Sequence, residues 1–197
     1  MARKINTRQI NITYLILVEG TTELIYFQSL KETCGRFDFT VKLQKAKHGN
    51  PAPLIEEALS EHEKGVYHSI WCVYDCDVLS HAAAERFNSA YQAALKQNIK
   101  FAESMPCIEV WFILHFEKPQ NFYQNANAVI ADFKKHIPQY SKNRDWQERN
   151  LYKSLKDYTT QALTNVKNLP VIKHDAQTTA TSIHELIKIF NGNKHDE

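Results

Sequence analysis

From Asn11 to Val18 apolar and β-branched residues dominate a run that stops at Glu19-Gly20, the pattern of a strand buried inside a sheet. The next segment, Thr21 to Leu30, changes period. Leu24, Phe27 and Leu30 fall near helical spacing, with Thr21 or Thr22 available to cap the start. The alternation then repeats: Phe39 to Gln44 reads as a strand, His48-Gly49-Asn50-Pro51 breaks it, and Pro53 to Glu63 reads as a helix. A third strand, Ser69 to Tyr74, ends at Asp75-Cys76-Asp77. A helix follows over Ala82 to Gln97, with Phe87, Tyr91 and Leu95 as its expected core stripe. Ile99 to Glu103 gives a fourth strand before Pro106.

Beyond Pro106 the pattern turns helical. Cys107 to Phe116 is apolar enough to be a buried strand or a buried helix, and Pro106 suits a first helical turn, so a helix is expected. Further helices are expected over Ala126 to His136, Trp146 to Asn168 and Thr181 to Asn191. Strand–helix units in series point to an α/β fold: a small parallel sheet of about four strands with Rossmann-like topology, over residues 1–116. A helical C-terminal extension, residues 117–197, is expected to pack on it.

Composition changes this picture little. At 197 residues and 43% hydrophobic content the chain can bury a sizeable core. Its longest apolar runs fall well short of the roughly 20 residues a membrane span needs. With no signal-type segment after the basic Met1-Ala2-Arg3-Lys4, a cytoplasmic protein without membrane attachment is the expectation. Cys34, Cys72, Cys76 and Cys107 show no zinc-type spacing and read as reduced, structural thiols. A net charge of +2 does not by itself indicate nucleic acid. The bases from Lys134 to Lys156 can form either a phosphate-facing patch or a solvated helix face.

The candidate chemistry lies at the strand ends. In open α/β sheets ligands bind beyond the carboxyl ends of the strands, where strand order reverses. Residues two apart in extended chain point the same way, so Asp75 and Asp77 can aim two carboxylates at one point, joined by Glu19 if the first and third strands are neighbours. Crowded carboxylates repel unless a cation compensates, and Mg²⁺ or Mn²⁺ suits an all-oxygen set. The competing reading is a pair of turn aspartates, with Asp77 capping the next helix.

At these residues the sequence resembles the TOPRIM superfamily, with a Glu after the first strand (Val18-Glu19-Gly20) and a DxD after the third (Asp75-Cys76-Asp77). It resembles more closely the RloB-like family of bacterial and phage-defence-associated proteins. That likeness rests on Leu17 to Glu23 with Tyr26-Phe27, on Val73 to Asp77, and above all on Pro106-Cys107-Ile108-Glu109-Val110-Trp111-Phe112-Ile113-Leu114-His115-Phe116. Weaker echoes are Gly49 with Pro51, Tyr140-Ser141-Lys142, and Thr178 to Leu186. The resemblance implies a TOPRIM topology, dependence on Mg²⁺ or Mn²⁺, and a nuclease acting on DNA or RNA in bacterial defence or a restriction-associated system, alongside a defence-system protein partner. On that reading Glu19, Asp75, Asp77 and Glu109 are catalytic. Glu19, Asp75 and Asp77 hold metal, while Glu23 is either a further ligand or a first-turn acid serving the helix dipole.

Glu109 sits in an otherwise apolar helix, where a charge needs a partner or a function: a metal-bound water, a nucleophile to orient, or a lysine to pair with. His115 reads as a satisfied structural histidine, and His48 as a turn residue within reach of the crevice. Lys142 and Arg144 are the candidate nucleic-acid contacts, with Tyr140 and Trp146 as stacking surfaces. The alternative function is a non-catalytic module that binds nucleic acid or a partner through this basic half. A nucleotide-binding protein is disfavoured, because neither GxGxxG nor GxxxxGK[ST] follows the first strand.

Overall fold

The computed structural model describes residues 12–35, 39–76, 81–174 and 178–191. Its sheet comprises β1 (Thr13–Val18), β2 (Thr40–Lys45), β3 (Ser69–Asp75), β4 (Lys100–Met105) and β5 (Ala180–Thr181). The order is β2-β1-β3-β4-β5, parallel except for β5, which runs antiparallel to β4. The fold is therefore α/β with a mostly parallel sheet, as the alternating pattern implied. The two-residue β5 was not anticipated: it falls where a helix was expected to begin at Thr181, and that helix starts at Ile183 instead.

The central strands carry apolar residues on both faces because both faces are covered. Ile16, Val18, Trp71 and Val73 enter one core, while Leu15, Leu17, Ile70, Cys72 and Tyr74 enter the other. Helices α2 (Pro51–Glu63) and α3 (His81–Lys96) cover the second face and pack on each other. On α3 the buried positions are Phe87, Ala90 and Ala94, with Leu95 47% exposed. The stripe thus runs through Phe87, Ala90 and Ala94, with Tyr91 half-buried and stacked on Phe87 and Phe101 at its edge, while Leu95 points outward.

The first face is covered by α1 (Thr21–Cys34), α4 (Glu109–Ile113) and α8 (Ile183–Asn191), with α6 (Arg144–Leu155) packed on α1 and α5 (Ala126–His136) on α4. One continuous core runs from Ile16 on β1 through Trp111 on α4 to Phe133, Leu151 and Phe190, so residues from both halves of the chain share it. The long helix expected over Trp146 to Asn168 is instead α6, a 3-10 turn, α7 (Thr159–Asn165) and a second 3-10 turn. No side-chain cap starts α1: its N-cap is Gly20. Helix α4 is short, but helix-type hydrogen bonds extend from the Cys107 carbonyl to the Glu117 amide. Among the described residues no helix is long and apolar enough to cross a membrane.

Helices α1 and α4 are tied together by a hydrogen bond from the buried Trp111 indole N–H to the Tyr26 hydroxyl, at 2.8 Å. Tyr26→Phe would leave that donor without an acceptor in a dry core, which costs about 1–3 kcal/mol. An unfolding free energy from urea denaturation lowered by that amount is expected, and an unchanged value would show the indole to be satisfied elsewhere.

Candidate metal centre

Strand order reverses between β1 and β3, since the chain goes outward from β1 to β2 and then returns to β3 on β1's other side. The end of β1 is stitched to β3 twice: the Glu19 amide donates to the Val73 carbonyl at 2.9 Å, and Glu19 Oε2 accepts from the Asp75 amide at 3.1 Å. The neighbouring strands needed to join Glu19 to Asp75 are thus present. Asp75 continues the alternation of Trp71 and Val73 and so faces the side of the sheet covered by α1 and α4.

Two short elements add further acids. Gly20 lets the chain turn directly into α1, and the Glu23 carboxylate folds back over it; a Cβ at position 20 would collide with Glu23 Oε2. From α4 comes Glu109, whose residue is fully buried. Its Oε1 accepts from the Tyr140 hydroxyl at 2.5 Å and from Lys142 Nζ at 2.7 Å. Of the roles open to Glu109, the lysine pairing is therefore observed.

Electrostatics show how closely these groups crowd. Burial pushes the Glu23 carboxyl up to about 7, with Glu109 and Glu19 adding to the rise and Lys142 opposing it. Burial likewise drives Asp75 well above the usual carboxylate range, reinforced by Glu23, Glu109 and Glu19. For Lys142 burial acts downward, but the Glu109 carboxylate outweighs it and the ammonium is held more firmly. Glu23 Oε2, Asp75 Oδ1 and Glu109 Oε2 are buried without a hydrogen-bond partner. Buried carboxylate oxygens are costly to leave unpaired, and the repulsion of Asp75 by Glu23, and of both by Glu109, places these acids near one another.

The remaining sequence candidates fall differently. Asp77 lies outside the described residues. Arg144 is exposed and pairs with Glu148 at 2.7 Å. His48 is exposed and lines a cavity of about 510 Å³ with Glu56, Glu57 and Arg86, among α2 and α3 residues rather than the acids. Tyr140 is 1% exposed, so its ring is packed against Phe133 and Trp146 instead of being open for stacking on a base. His115 is buried, with Nδ1 at 3.0 Å from the Trp111 carbonyl, and burial pulls its pKa down to about 4; its Nε2 is buried without a hydrogen-bond partner, so only one ring nitrogen is satisfied as expected.

Sequence reasoning missed a second group. Cys76, Glu103 and His174 offer ligand atoms that all lie within 4.8 Å of one another, a group that could hold a metal ion. In the sequence Cys76 reads as a structural thiol, and nothing local marks Glu103 or His174. The available signal was strand parity: Cys76 alternates with Asp75 and therefore faces the opposite side, where Glu103 stands beside Tyr74 in register.

Fold and crevice together define an α/β protein that gathers acids at the switch point of a mostly parallel sheet, a class that takes ligands at the carboxyl ends of its strands. Residues 14–190 match the family model of the RloB-like proteins, and the chain belongs to that family. No curated protein and no solved structure matches it.

The raised Glu23 pKa has a signed consequence for stability. A carboxyl that titrates near 4.5 unfolded and about 7 folded binds its proton more tightly in the folded state. Its contribution is complete below about 4.5 and is lost as pH rises through about 7, a difference of roughly 3 kcal/mol at most. In chelator, urea midpoints are expected to fall between pH 5 and pH 8 more steeply for wild type than for Glu23→Gln, which should be the more stable at pH 8. Parallel profiles for the two proteins would contradict the assignment.

Proposed function

We propose that this protein is a TOPRIM-type nuclease that hydrolyses phosphodiesters of DNA or RNA with Mg²⁺ or Mn²⁺, serving bacterial defence or a restriction-associated system. The observation that carries the reading is the set of buried, unpartnered carboxylate oxygens on Glu23, Asp75 and Glu109 at the strand switch point. Glu19, Asp75 and Glu23 would hold the ion. When bound, it would polarise a phosphodiester and supply a hydroxide near neutral pH.

The chain's own groups have separable tasks. The Asp75 amide orients Glu19 by donating to its Oε2. Tyr140 and Lys142 hold Glu109 by Oε1, and Oε2 of that carboxylate is left buried without a hydrogen-bond partner. Lys142, with half its side chain exposed, reaches in from solvent and places an ammonium at the rim. An ammonium there can offset the charge of an incoming phosphate and stabilise the charge that develops as the bond breaks. Gly20 leaves room for the Glu23 carboxylate, which a Cβ at position 20 would displace.

The non-catalytic alternative relies on Lys142 and Arg144 as nucleic-acid contacts. Each faces an acid of its own chain, Glu109 and Glu148, which favours the hydrolytic reading over a purely basic binding surface.

The test is a cleavage assay on single-stranded DNA, double-stranded DNA and RNA with Mn²⁺ or with chelator. Wild type is expected to cleave at least one substrate only when metal is present, and Asp75→Ala and Glu19→Ala to lose more than about 100-fold while remaining folded. Lys142→Ala should lose about 10–100-fold. Metal-independent behaviour on every substrate, with binding weakened by neutralising Lys142 and Arg144, would support the binding module instead.

A further inference from the structure

On the far side of β3 from the acids, three potential ligands converge from segments distant in sequence. Glu103 stands on β4 opposite Tyr74 and is buried. Its Oε1 gathers three donors: the Tyr74 hydroxyl, Cys76 Sγ at 3.8 Å, and His174 Nε2 at 2.7 Å. His174 comes from the stretch between α7 and β5. Its ring stands edge-on to Phe87 and Tyr91, with centroids 5.0 and 4.9 Å away.

We propose that Cys76, Glu103 and His174 bind a zinc-class divalent ion, separate from the carboxylate crevice and able to fill independently of it. Thiolate, imidazole and carboxylate are the donor types that borderline-soft ions select, whereas Mg²⁺ and Mn²⁺ favour oxygen. Around a tetrahedral Zn²⁺ with ordinary bond lengths, sulfur and oxygen ligands stand about 3.6 Å apart and nitrogen and oxygen about 3.4 Å apart. The Sγ–Oε1 separation already fits. The Nε2–Oε1 pair must open by less than about 1 Å, a movement available to His174, whose side chain is 27% exposed.

Charge also balances. The Cys76 thiolate and the Glu103 carboxylate together neutralise the ion. On binding, the thiol proton leaves to solvent and the imidazole carries its proton on Nδ1, freeing the Nε2 lone pair for the metal. In the metal-free chain the Cys76 thiol and the His174 imidazole both converge on one oxygen of Glu103. The Tyr74 hydroxyl continues to hold the carboxylate. A fourth position is left for water, and the ion fastens the segment before β5 to the end of β3.

Co²⁺ reports on such a site directly, because a cobalt–thiolate bond gives a charge-transfer absorption that oxygen-only coordination lacks. Titration of the full chain with Co²⁺ should produce that band at one equivalent, and Zn²⁺ should bleach it. The band should vanish in Cys76→Ser and weaken at least tenfold in apparent affinity in His174→Ala, yet persist in Asp75→Asn, which alters only the acid crevice. Far-ultraviolet circular dichroism of the metal-free variants serves as the folding control. Absence of a thiolate band in wild type, or its persistence in Cys76→Ser, would overturn the proposal. Its loss in Asp75→Asn would overturn the separateness of the two sites. None of these readouts depends on cleavage activity, so failure here is distinguishable from failure of the nuclease reading.

Discussion

Carboxylates that repel one another are held together at the end of β1 and β3, and the surrounding structure is arranged around that constraint. Glu19 and Glu109 push the titration of Glu23 and Asp75 upward, and among the described residues the ammonium that opposes this is Lys142. Left alone, such a group would neutralise by taking up protons or would open to water. In the metal-free chain Glu23 and Asp75 hold their protons more tightly, while opening to water is resisted because the acids sit on rigid elements: Glu19 is stitched to β3, Glu23 occupies the first turn of α1, and Glu109 lies in the fully buried α4. The Trp111–Tyr26 hydrogen bond keeps the last two elements together.

The sheet explains why one short stretch can serve two chemistries. Adjacent residues at the end of β3 face opposite sides, so Asp75 joins an oxygen-rich crevice beneath α1 and α4, while Cys76 joins Glu103 and His174 beside α3. One side is populated by carboxylates and an ammonium and the other by thiol, imidazole and carboxylate. That difference in donor softness would sort ions between them without any difference in strand geometry.

Much of the framework was legible in the sequence, because β1 and β3 are covered on both faces and so read as nearly continuous apolar runs. The switch point followed from those strands, and with it the meeting of Glu19 and Asp75. Glu109 stood out as a charge in an apolar helix, but nothing along the chain could say that Lys142 and Tyr140 would meet it, since they approach through tertiary packing of a loop after α5. Likewise Leu95 keeps the helical period yet points outward, because α3 packs on α2 and buries Phe87, Ala90 and Ala94 instead. The two residues of β5 are too few to leave a pattern. His174 carries no local signal at all: its significance arises only when the chain returns to the edge of the sheet.

The central claim is that the buried acids are kept together for a divalent cation, and Mn²⁺ binding followed by electron paramagnetic resonance tests it without reference to any substrate. The free-ion signal should fall as wild-type protein is added, and Asp75→Asn should weaken that binding at least about tenfold, the scale on which disturbing a metal site's supporting groups lowers affinity. Equal sequestration by the two proteins, or none by wild type, would contradict the account.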